Sequence, residues 1–273
     1  MNLNSGTFTT IHALALCSLL ACIGPALGQD GPLNDTGQIT CYNLTASTGT
    51  VSTDTPDPEA SGFNEQDCTR GSAAADALGK QIKIGASSTP GRDYTKIAND
   101  GSELDAGATL GSAASDWACT RDNLTGLVWE VKVDDAANLR HYKHTHTWYD
   151  PDADSNGGEA GDLGWDSCNG TLPAAHCNTN ALRDAVNDIG LCGASTWRLP
   201  TAAELQSLVD YGAATAPYID GSYFPNTGLN VYWSGVNHAD DPARAWSLYF
   251  GTGERNPDNK AHAHVLRLVH GGL

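Results

Sequence analysis

The segment "TWYDPDADSNGGEAGD", residues 147 to 162, sets carboxylates, an amide and glycines at the spacing of a hard-cation loop. Asp152, Asp154 and Asn156 followed by Gly157 match D-x-D-x-N-G, the first half of an EF-hand-type loop. In such a loop alternate oxygen donors face one ion and the glycine takes the sharp bend. The second half departs from the pattern, because Leu163 stands where the bidentate Glu belongs. Glu159 or Asp162 can substitute along a different loop path, with Asp150 as a further ligand. Two readings stand: a weak extracellular Ca2+ site, or a solvated turn, since Asp, Asn and Gly are also what turns prefer.

The histidines gather twice. "HYKHTHTWY" brings His141, His144 and His146 together, and "KAHAHVLRLVH" adds His262, His264 and His270. In a strand, His144 and His146 point to one side, which suits a transition metal. Sequence alone places no third ligand, and solvated edge residues are the default. No Gly-x-Ser-x-Gly elbow and no His-Glu-x-x-His helix is present. No catalytic residue is assigned, and the reading is non-enzymatic.

The compartment decides what the cysteines do. "IHALALCSLLACIG" (Ile11–Gly24) is apolar, with no charged side chain before Asp30, and is too short for a comfortable membrane span. "ALG" at Ala26–Gly28 offers the small residues of a signal-peptidase site, so residues 1–28 read as a signal peptide. "LLAC", ending at Cys22, is the rival and would suit lipid attachment. Either way the mature chain is secreted or held at the cell surface, with no later segment able to span a bilayer. Removing Cys17 and Cys22 leaves Cys41, Cys68, Cys119, Cys168, Cys177 and Cys192, an even set that reads as disulfides in an oxidising compartment. Cys168 and Cys177 bracket a short turn-rich loop and are the easiest to join. Cys41–Cys68 with Cys119–Cys192 is one pairing of the remainder. Paired Cys-x-x-Cys spacing, which zinc would need, is missing.

These groups must be positioned by an unevenly organised chain. All seven tryptophans lie from Trp117 onward, and residues 116–273 form the main domain. Residues 29–115 are rich in Gly, Ser, Thr, Ala and Asp and contain no Trp, so they read as a loop-rich N-terminal extension packed on that domain. "NALRDAVNDIGLCG" sets Leu182, Ala185, Val186 and Ile189 on one helical face, with Gly190 as the stop. "PTAAELQSLVD" carries a capping box from Thr201 to Glu204, then a stripe of Leu205, Leu208 and Val209. Strands are expected at "GLVWEV", "VYWSG", "AWSLYF" and "HVLRLVH". Trp129, Trp197, Trp233 and Trp246 read as core, and Arg198 and Arg267 as inward arginines paired with carboxylates.

"DNLTGLVWE", "LCGASTWRLPTAAELQSLVDY", "YFPNT", "VYWSG", "AWSLYFGTG" and "VLRLVHGG", in that order, resemble the DUF1566 family, which includes the C-terminal domain of the Legionella collagen-like adhesin. The upstream "DTGQITCYN" is similar to the lead-in of many exported members. The resemblance implies an α+β, C-type-lectin-like domain with two helices, short antiparallel strands and long loops, stabilised by disulfides. It also implies a relation to the formylglycine-generating enzymes, and, from the adhesin, binding of sulfated glycans. Those enzymes depend on reactive cysteines late in the chain, and here no cysteine follows Cys192.

Charge narrows the partners. With 15 Lys+Arg against 32 Asp+Glu the formal charge is −17, which opposes nucleic acid and other polyanions unless cations cluster locally. The expectation is an exported adhesion module that binds a glycan or a surface protein. The alternatives are a structural subunit that self-associates and, last, an enzyme related to the formylglycine-generating enzymes.

Overall fold

The largest sheet draws its strands from both sides of residue 116. The computed structural model describes residues 83–87, 89–173 and 176–272, with 40–42, 47–50, 76 and 79 upstream. The leader, Cys22 and Cys68 lie outside them. A short hairpin pairs β1 (Thr40–Tyr42) with β2 (Ser47–Thr50). β3 (Tyr94–Ala98), β4 (Glu103–Leu104), β5 (Trp117–Asp122), β6 (Leu127–Glu130) and β12 (Val269–Gly271) then form a five-stranded antiparallel sheet in the order β12-β6-β5-β3-β4. Gly126, at φ 72°, closes the turn from β5 to β6, where its N–H donates to the Asp122 carbonyl at 2.9 Å. A side chain there would strain this left-handed backbone.

A second antiparallel sheet runs β10-β9-β8, from β8 (Val231–Asn237), β9 (Arg244–Tyr249) and β10 (Glu254–Asn259). Beside it β7 (His146–Thr147) pairs with β11 (Ala263–His264). The expected strand "HVLRLVH" is not one strand. Val265 exchanges backbone hydrogen bonds with Val231 and Trp233 of β8, whereas Val269 pairs with Trp129 of β6. Between them the Leu268 N–H donates to the Glu130 carboxylate at 3.0 Å, which interrupts the ladder. The segment passes from one sheet to the other and ties them together.

Helix α1 (Thr179–Asp188) begins at Asn178, whose side-chain oxygen accepts from the Ala181 N–H at 2.8 Å. It buries Leu182 and Val186. Ile189 departs from the expected stripe: it is the C-cap and 58 % exposed, because the helix ends before that face can extend. Gly190 follows in the left-handed conformation at φ 63°. Helix α2 (Ala202–Ser207) has the full Thr201–Glu204 capping box. Leu205 is buried within it, and Leu208 and Val209 are buried just beyond its end.

Two apolar clusters form the core. One gathers Trp148, Trp197, Trp233, Leu182 and both disulfides, and the other gathers Tyr94, Trp129, Tyr232, Phe224 and Phe250. Trp246 is only half-buried, against the His238 ring at 5.5 Å. Cys119–Cys192 joins β5 to the turn after α1, with a Cα–Cα distance of 6.4 Å, and Cys168–Cys177 closes the short loop. The fold is therefore α+β and disulfide-stabilised. Among the described residues no helix is long and apolar enough to cross a membrane.

A buried ionic group lies where the sheets meet. Lys132 Nζ stands 2.8 Å from Glu130 Oε1, with both side chains fully buried. Arg267 is also fully buried. It donates to the Glu130 carbonyl and the Thr227 hydroxyl, both at 2.8 Å, so Lys132 rather than Arg267 takes the carboxylate.

Candidate functional site

The acidic loop uses its polar side chains to build turns. Asp150 accepts from the Asp152 N–H at 3.0 Å and the Ser155 hydroxyl at 2.6 Å, and Asp152 accepts from the Asp154 N–H at 3.0 Å. Asn156 accepts from the Gly158 N–H at 2.9 Å, and Asp162 from the Gly164 N–H at 2.7 Å. These are Asx-type turns, the local hydrogen bonding that Asp and Asn favour. Gly157, at φ 70°, passes so close to Asn237 that a Cβ would meet its side chain at 2.8 Å.

Under the loop lies a cation that sequence reasoning missed. Lys260 is buried, and its ammonium donates to the carbonyls of Asn156 at 2.8 Å and Glu159 at 2.6 Å. It also sits 4.1 Å from the centre of the Trp148 ring. Burial lowers its pKa, against the opposing pull of Glu159 and Asp150. The one visible signal was that Lys260 is the only lysine after Lys143. Asp150, Asp152, Asp154, Glu159 and Asp162 supply no group of three or more donors within 4.8 Å of one another.

Beside the loop a cleft of about 150 Å3 opens between α1 and the segments at Trp148–Asp150 and Arg198–Leu199. The first turn and a half of α1 presents Thr179, Asn180 and Arg183 to it. Thr179 fixes the opposite wall: its hydroxyl accepts from the Tyr149 N–H and donates to the Tyr149 carbonyl, both at 2.9 Å. Arg183 donates to Asn180 Oδ1 at 2.6 Å and pairs with Asp184 at 2.8 Å. Arg198 grips Glu204 through two nitrogens at 2.8 and 2.6 Å, the structural pairing expected for it. Those hydrogen bonds raise the Arg198 pKa, while on Glu204 burial is outweighed by Arg198 and the Thr201 N–H, which hold its carboxyl low. Gly235 lines the floor, where a Cβ would press on Leu199 at 3.0 Å.

A pair of exposed apolar side chains stands near the same end of α1. Leu163 is 50 % and Trp165 55 % exposed, on either side of Gly164. The Leu163 carbonyl accepts from Asn178 Nδ2 at 2.9 Å, which holds this segment against the helix cap.

The family model of the Lcl C-terminal domain matches residues 118–270, more than half of the chain. The chain belongs to this family. It is the DUF1566 family, and the match takes in the acidic loop, the cleft and both described disulfides, and ends within β12. No match is found among curated proteins. The Lcl-type stretch begins inside β5, so β3 and β4 add two strands to its sheet from upstream. The four cysteines whose bonding is described are paired, which removes their thiolates from chemistry.

The first histidine group departs from the solvated-edge expectation. His144 and His146 are buried, and neither ring nitrogen of His146 has a hydrogen-bond partner. Burial first, then nearby Lys132 and His144, pushes the His146 pKa well below 6.5, so its ring is neutral. His141 stacks edge-on to His144 at 5.0 Å, and this trio forms no convergent donor group. His270 packs on Trp197 at 4.4 Å. The second group does converge, on a residue that its sequence context does not single out. Asp258 Oδ1 lies 2.9 Å from His262 Nδ1, and Oδ2 lies 2.6 Å from His264 Nε2. Burial raises the Asp258 pKa, but hydrogen bonds from His264, the Asn259 N–H and His262 hold it below its ordinary value.

Proposed function

We propose that the protein is an exported adhesion module that recognises glycans, without catalysis, through the cleft beside α1. The observation that carries this reading is the convergence of Tyr149, Asn180, Arg183 and Arg198 on one small concave surface. An amide, guanidinium groups and an aromatic ring are suited to the hydroxyls and apolar faces of a sugar. Each arginine already has a carboxylate partner, and Asp150 lines the same cleft, so no cation there is left uncompensated. Such a surface favours polyhydroxyl ligands over polyanions. The resemblance to an adhesin and the export leader read from the sequence support placement at or beyond the cell surface.

A C-type-lectin-like topology accounts for the two helices, the small antiparallel sheets and a closing strand beside β6. A second reading, a self-associating structural subunit, draws on exposed Leu163 and Trp165. A glycan array probed beside a sizing column separates the two. Sugar binding that is lost in Asn180→Ala/Arg183→Ala supports the cleft, and self-association abolished by Trp165→Ser supports the subunit.

A further inference from the structure

Asp258 lies near the end of β10 and His264 ends β11, so the chain between them makes a tight turn with His262 at its rim. The turn is well held. The His262 N–H donates to the Asn259 carbonyl and the Ala261 N–H to Asn259 Oδ1, both at 2.9 Å. Lys260, at the centre of the turn, is anchored under the acidic loop. His264 is fixed by backbone pairing to His146 and by packing against the Trp233 ring at 4.6 Å. The His262 ring is mostly exposed.

We propose that Asp258, His262 and His264 form a binding site for a divalent transition-metal ion of the zinc class. One donor atom from each residue lies within 4.8 Å of the other two. A tetrahedral zinc ion, bound at about 2.0–2.1 Å, holds its donors roughly 3.3 Å apart. Small side-chain rotations reach that arrangement with the backbone in place. On binding, the ion takes over the lone pairs at His262 Nδ1 and His264 Nε2, and the N–H of each neutral ring moves by exchange with solvent to its other nitrogen, so that each ligand stays a neutral imidazole. The Asn259 N–H, 2.7 Å from Asp258 Oδ1, orients the carboxylate from behind.

Two imidazoles and one carboxylate select zinc, nickel or copper over calcium, which needs six or more oxygen donors. Three protein donors leave a coordination position open to water or to a group on a bound molecule. Among the described residues the other convergent donor group, Asp166 with Cys168 and Cys177, is closed to metal because its sulfurs are joined to each other.

The test is calorimetric titration of zinc chloride into the full mature chain, free of any histidine tag and pre-treated with chelator. Wild type should bind a single ion per chain. His262→Ala, at an exposed ring, should weaken binding by about tenfold or more, and Asp258→Asn likewise, with melting curves confirming that both variants remain folded. No heat from wild type would overturn the proposal. Zinc binding that persists unchanged in both variants would also overturn it, by placing the ion elsewhere. Calcium chloride in the same cell should leave the site empty, and calcium competing there with zinc would contradict the donor chemistry.

Discussion

Lys260 shows how one side chain can change the meaning of a motif. The D-x-D-x-N-G spacing was legible in the sequence, but the ammonium that fills the underside of that loop comes from a turn about a hundred residues later. Linear spacing carries no information about such a partner. Removing the ammonium while keeping most of the apolar stem leaves the Asn156 and Glu159 carbonyls unpaired. Lys260→Met should therefore lose about 2 kcal/mol of stability, read as a lowered urea midpoint. We also expect excess calcium to leave the wild-type melting temperature unmoved, because the Lys260 ammonium already takes the carbonyls of Asn156 and Glu159 beneath the loop. A rise of several degrees in wild type would support calcium binding by Asp150, Asp152, Asp154, Asn156, Glu159 and Asp162.

The buried histidines give a prediction with a definite sign. The His146 pKa is held well below 6.5 in the folded protein, and those of His144 and His270 are also lowered, chiefly by burial. Below an unfolded-state pKa of about 6.5 the unfolded chain takes up protons that the folded one refuses, so stability falls as pH drops. Each fully buried ring contributes up to about 1.4 kcal/mol per pH unit in that window. Urea midpoints at pH 7.5, 6.5 and 5.5 should decline, and His146→Leu should flatten part of the slope.

At the scale of elements, local signals survived and long-range ones did not. The Thr201–Glu204 box, the Asn178-led helix and the "LVWE" and "VYWSG" strands arise from spacing and capping, which sequence displays. "HVLRLVH" looked continuous because its apolar periodicity is continuous, yet the Glu130 carboxylate takes a ladder N–H and sends the chain to a second sheet. The Gly- and Ser-rich extension likewise concealed β3, whose Tyr94, Ile97 and Ala98 are buried in the sheet. The buried Glu130 should be costly to neutralise. Glu130→Gln leaves Lys132 charged or forces its deprotonation in a fully buried site, a loss of about 3–5 kcal/mol. Equilibrium unfolding measures it, and a loss under about 1 kcal/mol would mean that water reaches this pair.

For the whole molecule, a net charge of −17 and a cleft whose arginines are both paired with carboxylates point the same way. Phosphate- and sulfate-rich polymers gain their affinity by counterion release at clustered cations, and here each arginine lining the cleft is paired with a carboxylate. Retention on a heparin column should end below physiological salt. The acidic net charge was legible in the sequence, whereas the cleft was not, since Tyr149, Asn180, Arg183 and Arg198 come from three separate segments. The most direct measurement is a glycan array probed with the mature protein and with Asn180→Ala/Arg183→Ala, both in chelator. Uncharged glycans should bind wild type and be lost from the folded variant. An array on which wild type binds nothing, or on which the variant binds equally well, would contradict recognition at this cleft.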